Sequence, residues 1–318
     1  MKPPPFAYHR PASVEEAAQL LTDLVGERGE GGEGGEGGEG GEAKVIAGGQ
    51  SLVPLLNFRL ASPGHLVDIN AIDALGGLDV RPGAVDVGAT VRAARLLSER
   101  TVAVAHPLLA EATRWIAHPV IRNRGTVCGS LAHADPAAEL PAVLSLLDGS
   151  IEAVAWRAGA LVRRRVGAGD LFAGPLQTTL EPDELVVAAR FPTLGARTGW
   201  AVDELALRRG DYALAGVALA VTVDGDGAPT AGRAAYMSCA PTPVVVDIGP
   251  AIVDESPGPD ALYALVASAL DPTDDIHASG EYRRHLAATL TVRALGGALA
   301  RARARIDADS EHPSEVPA

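Results

Sequence analysis

Residues 43–52 read Ala-Lys-Val-Ile-Ala-Gly-Gly-Gln-Ser-Leu, a short apolar strand followed by a tight turn. The strand stops at Gly48 and Gly49, and a helix-like run begins at Ser51. Glycine adopts positive φ readily and has no Cβ in the way of a ligand. Successive backbone N–H groups at such a turn, with Gln50 and Ser51 as further donors, can bind an anion such as phosphate. Taken alone, the stretch is more typical of an ordinary strand-to-helix turn than of an anion-binding nest.

A second glycine turn lies at residues 125–130, Gly-Thr-Val-Cys-Gly-Ser, with Asp135 and Glu139 downstream. It again gathers small residues and two hydroxyl groups where a strand is entered or left. One such turn is a weak signal, but two in one domain suit a pyrophosphate that is bound from both sides. A bulky ligand with a diphosphate centre, such as FAD, therefore fits the pair of turns better than a mononucleotide does.

The most glycine-rich segment is not part of this site. Residues 26–42 repeat Gly-Gly-Glu and match the dinucleotide pattern G-x-G-x-x-G, for example at Gly29, Gly31 and Gly34. That pattern needs a strand before it and a helix after it, and the intervening glutamates would repel a pyrophosphate. We therefore reject a Rossmann interpretation and predict a flexible, solvated loop over residues 26–42.

Charge and cysteine content exclude several classes of protein. The 318 residues carry a net charge of −13, whereas nonspecific nucleic-acid binding needs a basic face. Cys128 and Cys239 cannot supply a four-cysteine zinc site, an iron–sulfur cluster or a disulfide framework. The N-terminus has no apolar signal-peptide core, and no apolar stretch reaches the roughly 20 residues of a transmembrane helix. We expect a cytoplasmic protein with no transmembrane segment and no nucleic-acid partner.

Hydrolytic and metal-dependent chemistry find little support. Ser130, His133 and Asp135 are the residue types of a catalytic triad, but the G-x-S-x-G elbow is absent. The eight histidines are scattered, without H-E-x-x-H or clustered Cys/His spacing. We predict surface or loop positions for four of them: His9, His65, His106 and His312.

The chain as a whole is mixed α+β, with hairpins rather than regular βαβ units. A capping box at Ser13–Glu16 predicts a helix over residues 13–24. Turn signals separate the predicted strands, the strongest being the hairpin turn Asp224-Gly-Asp-Gly227 between two of them, and two helices are predicted to follow at the C-terminus. These elements are a hairpin over 150–166, strands over 184–191, 213–223 and 233–239, and helices over 259–270 and 281–305.

Four segments carry a family resemblance. They are FAYHRPASVEEAAQLL at 6–21, AGGQSLVPLLNFRL at 47–60, RNRGTVCGSLAHADPAAELP at 122–141 and RRGDYALAGVALAV at 208–221. In this order they resemble the FAD-binding medium subunit of molybdenum hydroxylases. The carbon monoxide dehydrogenase type is the most similar, and the flavin segment of xanthine dehydrogenase is more distant. The resemblance runs from Phe6 to Ala304.

The resemblance implies an α+β flavoprotein fold of the vanillyl-alcohol-oxidase/CO-dehydrogenase type. An FAD-binding domain of two subdomains would occupy residues 1–191. A CO-dehydrogenase-flavoprotein-like C-terminal domain, an antiparallel sheet with helices, would occupy 199–305, and 306–318 would form a frayed tail.

The resemblance also implies FAD as the cofactor and assigns residues to it. The two glycine turns would hold the FAD pyrophosphate, and Glu139 falls at a flavin-contacting carboxylate. Ile116 falls where a relative stacks a ring on the cofactor, and Val186 falls where an apolar residue packs on it. No residue is expected to be catalytic by itself or to bind a metal. The implied cofactor-binding residues are Ala47, Gly48, Gly49, Gln50, Ser51, Leu52, Ile116, Thr126, Gly129, Ser130, Asp135, Glu139 and Val186.

For function, the resemblance implies an electron-transfer subunit. Electrons would pass from a small [2Fe-2S] subunit through FAD to an external acceptor, while a large molybdenum-cofactor subunit hydroxylates the substrate, in a dimer of heterotrimers. The presence of only two cysteines agrees with this role, because the iron–sulfur clusters must then be bound by another chain. Two alternatives stay open: a stand-alone FAD-dependent oxidase or reductase of the same fold, and a non-catalytic ligand-binding scaffold.

Overall fold

The computed structural model describes residues 2–30, 42–253 and 258–311. Most of the loop predicted over 26–42 lies outside these residues, and so do His312 and the end of the predicted tail. Gly31 and Gly34 of the rejected dinucleotide pattern also lie outside them.

Helix α1 spans Val14–Glu30. Its capping box forms as predicted, because the Glu16 N–H donates to Ser13 Oγ at 3.1 Å and the Ala12 N–H donates to the Glu16 carboxylate at 2.7 Å. The helix continues beyond its predicted end at Leu24 and takes in the start of the predicted loop. Glutamate and arginine in this last part are good helix formers, which offset the glycines beside them.

The first sheet corrects the expectation that hairpins alone build the fold. It consists of β1 (Ala7–His9), β2 (Ala43–Ile46) and β3 (His65–Asp68), in the order β1-β3-β2, with both pairs parallel. The chain passes from β2 to β3 through helix α2 (Leu52–Asn57), so β2-α2-β3 is a βαβ unit. The strand before Gly48 and the helical run from Ser51 were predicted, but the parallel pairing was not, because it depends on which strands lie side by side in the fold.

The second sheet is antiparallel and has five strands. In the order in which they pair, they are β4 (Leu78–Arg81), β5 (Ala84–Gly88), β10 (Leu185–Pro192), β6 (Ser150–Arg157) and β7 (Ala160–Gly167). A separate two-stranded ribbon consists of β8 (Phe172–Gly174) and β9 (Gln177–Thr178). The predicted hairpin over 150–166 and the predicted strand over 184–191 are both confirmed.

The helices that accompany these two sheets are short. They are α3 (Ala93–Ser98), α4 (Arg100–Ala105), α5 (Pro107–Trp115), α6 (Pro119–Arg122), α7 (Val127–His133), α8 (Glu139–Leu146) and α9 (Ala168–Leu171). Every residue of α8 after Glu139 is buried, so this helix lies inside the protein and not on its surface.

The third sheet is antiparallel and belongs to the C-terminal part of the chain. Its strands are β11 (Thr198–Ala206), β12 (Ala213–Val223), β13 (Pro229–Met237) and β14 (Val244–Asp247), paired in chain order. Two helices follow, α10 (Pro259–Ala269) and α11 (Gly280–Glu311). The predicted strands around the 224–227 turn and the two predicted C-terminal helices are confirmed. Helix α11 corrects the predicted tail, because it continues through residues 306–311, which were expected to be frayed.

The two faces of the third sheet belong to two different hydrophobic cores. One face, with α10 and α11, forms the second core. The other face contributes Val202, Ala218, Ala235 and Met237 to the first core, which also contains the apolar residues of α8. The C-terminal sheet is therefore joined to the first part of the chain by buried apolar packing as well as by the backbone connection.

His106 corrects a sequence prediction, because it is fully buried and does not lie at the surface. Its Nδ1 accepts a hydrogen bond from the Leu109 N–H at 3.2 Å, which caps helix α5. Its Nε2 lies 2.9 Å from the Pro192 carbonyl oxygen and donates to it. These two bonds require the neutral ring. A single histidine that caps a buried helix produces no periodic pattern in the sequence, so its burial could not be predicted.

Candidate functional site

The first glycine turn connects β2 to α2. Gly49 has φ +70, a conformation that favours glycine. In the first turn of α2, the carbonyl of Gly49 accepts from the Val53 N–H at 3.0 Å and the carbonyl of Ser51 accepts from the Leu55 N–H at 3.2 Å. The N–H groups at the start of a helix have no acceptor within it, so those of Gln50–Leu52 can bind an anion from outside.

The second glycine turn proves to be the start of helix α7. The Thr126 hydroxyl caps this helix by accepting from the Gly129 N–H at 3.1 Å. Cys128 points into the core and its thiol contacts the Val87 carbonyl at 3.4 Å. Burial raises the pKa of this thiol to about 12, so Cys128 is an inert core residue.

The two turns lie in the wall of one cavity of about 1490 Å³. The structure brings together in this wall all thirteen residues that the sequence analysis assigned to the cofactor. Gly48 lies so near the second turn that a Cβ on it would be 2.8 Å from the Gly125 Cα. Residues that are far apart in the sequence therefore lie together in one site, as the hypothesis of a ligand bound from two sides requires.

Part of the cavity wall is apolar, and an arginine restrains the backbone at Ile116. Ile116 follows α5, and Val186 lies on β10. Arg122 donates from Nη1 to the carbonyls of Ile116 at 2.6 Å and of Ala117 at 2.8 Å. Ala117 has φ +39, which is strained for a residue with a Cβ. The arginine thus stabilises the turn that presents Ile116 to the cavity.

Another side of the cavity is acidic. Glu139 is the first residue of α8, and burial, together with the charge of Asp135, raises its pKa to about 7. A backbone hydrogen bond and the Arg122 charge oppose this shift. Asp135 accepts a hydrogen bond from the Ala137 N–H at 2.9 Å. Tyr212 also lies in the cavity wall, and burial, together with the charges of Asp135 and Glu139, raises the pKa of its phenol.

Sequence reasoning missed several residues of the cavity wall. Tyr212 belongs to the RRGDY segment that was quoted for the resemblance, so a signal for it was present. Arg122 also belongs to a quoted segment. Three others come from elements with no motif: Leu176 and Gln177 around the β8–β9 turn, and Arg283 of α11. These positions depend on tertiary packing alone.

Within residues 2–30, 42–253 and 258–311, no group of three or more histidine, cysteine, aspartate or glutamate side chains is arranged to hold a metal ion. In the same part of the chain, no helix is both long enough and apolar enough to span a bilayer.

Comparison with known protein families identifies the chain. Residues 4–194 match the model described as the FAD binding domain in molybdopterin dehydrogenase, and residues 200–298 match the CO dehydrogenase flavoprotein C-terminal domain. The chain belongs to the FAD-binding subunits of molybdopterin dehydrogenases. The resemblance drawn from the four segments, the α+β flavoprotein fold and FAD as the cofactor are thereby confirmed.

Individual relatives align with this chain over nearly its whole length and over nearly the whole of their own. The 6-hydroxypseudooxynicotine dehydrogenase complex subunit alpha of Paenarthrobacter nicotinovorans is 39% identical over 95% of this chain and 97% of its own. The carbon monoxide dehydrogenase medium chain of Hydrogenophaga pseudoflava is 35% identical over 95% and 99%. In the solved structure of reconstituted CO dehydrogenase from Oligotropha carboxidovorans, a chain with 32% identity superposes with a TM-score of 0.83, over 95% of this chain and all of that one.

The residues of the cavity fit the cofactor of the family. Gly49 provides a backbone that only glycine adopts without strain, and the helix starts at α2 and α7 direct N–H groups outward. Ser51 and Ser130 add hydroxyl donors in the same wall, and the apolar side at Ile116 suits a ring system. This chain is therefore the FAD-binding electron-transfer subunit of a heteromeric molybdenum hydroxylase, a class whose subunits function with partner chains.

Proposed function

We propose that FAD binds with its pyrophosphate between the two glycine turns and its ring system near Ile116, Glu139 and Val186. The observation that supports this is the close approach of Gly48 to Gly125 in the wall of one cavity. Bound FAD supplies the capacity to store two electrons and release them singly or together. The protein supplies N–H donors for the phosphates, apolar contacts for the rings and an acidic wall beside them.

The remaining residues assigned to the cofactor surround these contacts. In the proposal, Ala47 and Leu52 flank the first turn, and Thr126 and Gly129 flank the start of α7. Gln50 donates a hydrogen bond from its amide to the Gly48 carbonyl at 3.3 Å, which restrains the first turn. Asp135 shapes the acidic end through its bond to the Ala137 N–H.

The proposed electron path begins outside this chain. A small [2Fe-2S] subunit delivers electrons to FAD, and an external acceptor takes them from it, while a large molybdenum-cofactor subunit oxidises the substrate. Relatives named as a complex subunit and as medium chains support such partners. We propose that the complex is a dimer of heterotrimers. We also propose that it lies in the cytoplasm, where free cysteines such as the buried Cys128 and Cys239 stay reduced. The FAD-binding domain would occupy residues 1–191 and the C-terminal domain 199–305.

Reconstitution tests the proposed path. The purified chain should be yellow and should form no hydroxylated product, since flavin alone lacks a metal centre that activates water for this chemistry. Mixing it with its small and large partner chains should restore substrate-dependent reduction of a dye. Hydroxylated product from the single chain, free of molybdenum by elemental analysis, would favour a stand-alone oxidase. A colourless chain that takes up no FAD would favour a scaffold.

A further inference from the structure

Glu204 lies on the face of the third sheet that packs against α8. In the register of the sheet, Glu204 on β11 is opposite Gly216 on β12, and Gly216 is opposite Met237 on β13. Alternate residues of a strand share a face, so Glu204 lies on the same side as Val202. Val202 and Met237 belong to the first core, which also contains the apolar residues of α8. The Glu204 carboxyl therefore faces the interior between the sheet and α8.

The backbone fixes this part of the sheet beside the start of α8. The Ser238 N–H, directly after Met237, donates to the Pro136 carbonyl at 2.8 Å, and Pro136 leads into Glu139. Glu139 is in the cavity wall. Gly216 leaves room for Glu204 in the sheet, because a Cβ on Gly216 would lie 3.1 Å from the Glu204 Cβ and 2.9 Å from the Met237 Cε. Glu204 thus lies behind the wall to which Glu139 belongs.

The carboxyl of Glu204 has no ion-pair partner among the described residues. Its exposure is 8%, and Oε2 is buried without a hydrogen-bond partner within residues 2–30, 42–253 and 258–311. The neighbouring Asp203 is engaged by Arg293 at 2.6 and 2.7 Å. The Arg209 guanidinium lies over the Trp115 ring at 5.8 Å. A buried carboxylate without a partner is far less stable than a neutral carboxyl group.

Charged side chains from several neighbouring segments affect the ionisation of the two glutamates. Burial raises the pKa of Glu204 to about 8, assisted by Glu139 and Asp203 and opposed by Arg209. Glu139, as described above, has a pKa of about 7 under the influence of burial, Asp135 and Arg122. Two carboxyls that face one interior cannot both ionise without mutual repulsion, and such a pair titrates as a unit.

We propose that the carboxyls of Glu204 and Glu139 retain a proton at neutral pH and act as a proton store for the group bound in the cavity. This role rests on the proposed function. A Glu139 oxygen would release the proton toward the bound group when electrons from the partner clusters reach that group. The proton returns to the pair when the electrons leave. Glu139 touches the cavity, and Glu204 is a positioning residue that keeps the proton available to it.

The stored proton can be measured in the full-length chain without cofactor. Infrared spectra at pH 7 should show the carbonyl stretch of a protonated carboxyl group, shifted in D₂O. The band should weaken in Glu204→Gln and in Glu139→Gln, and it should be lost when both residues are replaced. Glu184→Gln is the matched control, because Glu184 is a buried carboxylate bonded to Arg164 at 2.5 and 2.6 Å, and it should leave the band unchanged. Absence of the band at pH 7, or its full intensity in both single variants, would refute the proton store.

A second readout links the pair to the flavin. In the FAD-loaded chain, the midpoint potential should change its slope with pH near pH 7 to 8, and Glu204→Gln should remove this change while FAD stays bound. Glutamine fills the same volume as a neutral glutamic acid, so a role in packing alone would leave the slope unaltered. An identical slope in both proteins would overturn the proton-store role. Failure to bind FAD at all would refute the proposed function and leave the infrared result standing.

Discussion

The backbone of Gly48 lies directly against that of Gly125, although the two residues belong to different glycine turns. A Cβ added to Gly48 would lie 2.5 Å from the Arg124 carbonyl oxygen and 2.8 Å from the Gly125 Cα. Both atoms are backbone, so neither can move aside as a flexible side chain does. This contact joins the turn after β2 to the segment that leads into α7.

Gly48→Ala should separate the two turns. We expect a loss of most bound FAD and a decrease of about 1–3 kcal/mol in the free energy of unfolding, the usual cost of forcing atoms into a packed site. Flavin content per chain and urea denaturation would measure both effects. Gly169→Ala in α9 is the control, because a Cβ there meets nothing within 4 Å and alanine favours a helix. Wild-type flavin content in Gly48→Ala would show that the contact between the turns is dispensable.

Gly49→Ala tests mainly the conformation of the first turn, because a Cβ there would meet only side-chain atoms, the nearest being Val53 Cγ2 at 3.2 Å. Its φ of +70 should cost alanine about 1–2 kcal/mol of stability and distort the N–H groups that face the phosphates. Gly83 in the β4–β5 turn has φ +81 and open space around it, so Gly83→Ala carries a similar backbone strain away from the cavity. Both variants should lose stability to a similar extent, and only Gly49→Ala should lose FAD affinity. Equal FAD affinity in the two would assign the first turn a purely structural role.

His106 should make the fold sensitive to mild acid. Burial lowers the pKa of this histidine to about 4, whereas an unfolded chain titrates near 6.5. The unfolded state therefore binds the proton first, so the stabilisation is complete above pH 6.5 and is lost as pH falls toward 4, by on the order of 3 kcal/mol.

Urea denaturation at pH 7 and pH 4.5 measures this loss. In His106→Asn, the side-chain oxygen can still cap α5 but does not titrate. The variant should be less stable at pH 7, because it loses the bond to Pro192, and its stability should fall less between the two pH values. If the stability of the variant fell as steeply as that of the unaltered protein, groups other than His106 would cause the sensitivity to acid.

Trp200 offers an optical probe of the contact between the third sheet and α5. Its indole Nε1–H donates to Glu111 at 3.0 Å, and Arg301 of α11 lies over its ring at 5.2 Å while binding the same carboxylate at 2.9 Å. Glu111→Gln should change the tryptophan emission and cost about 1 kcal/mol, because Arg301 loses its charged partner. Unchanged emission would mean that the indole does not sense this carboxylate.

Sequence patterns predicted elements whose stabilising signals are local. The hairpin at 150–166 pairs two neighbouring stretches of the chain, and the box at Ser13–Glu16 closes within one helical turn. The parallel pairing of β1 escaped prediction because three residues show no period and their partner lies on β3. Glu204 escaped because its burial depends on which face of β11 meets α8. Site residues within motifs could be named in advance, whereas those brought by packing, such as Arg283, could not.

The identity of the bound flavin tests the central claim most directly. Two glycine turns in one cavity wall imply a ligand with a diphosphate, so heat release followed by chromatography should yield FAD in amounts close to one per chain. Phosphodiesterase should convert the released flavin to FMN. Recovery of FMN alone before this treatment, or of no flavin from chain expressed with ample riboflavin, would contradict the account.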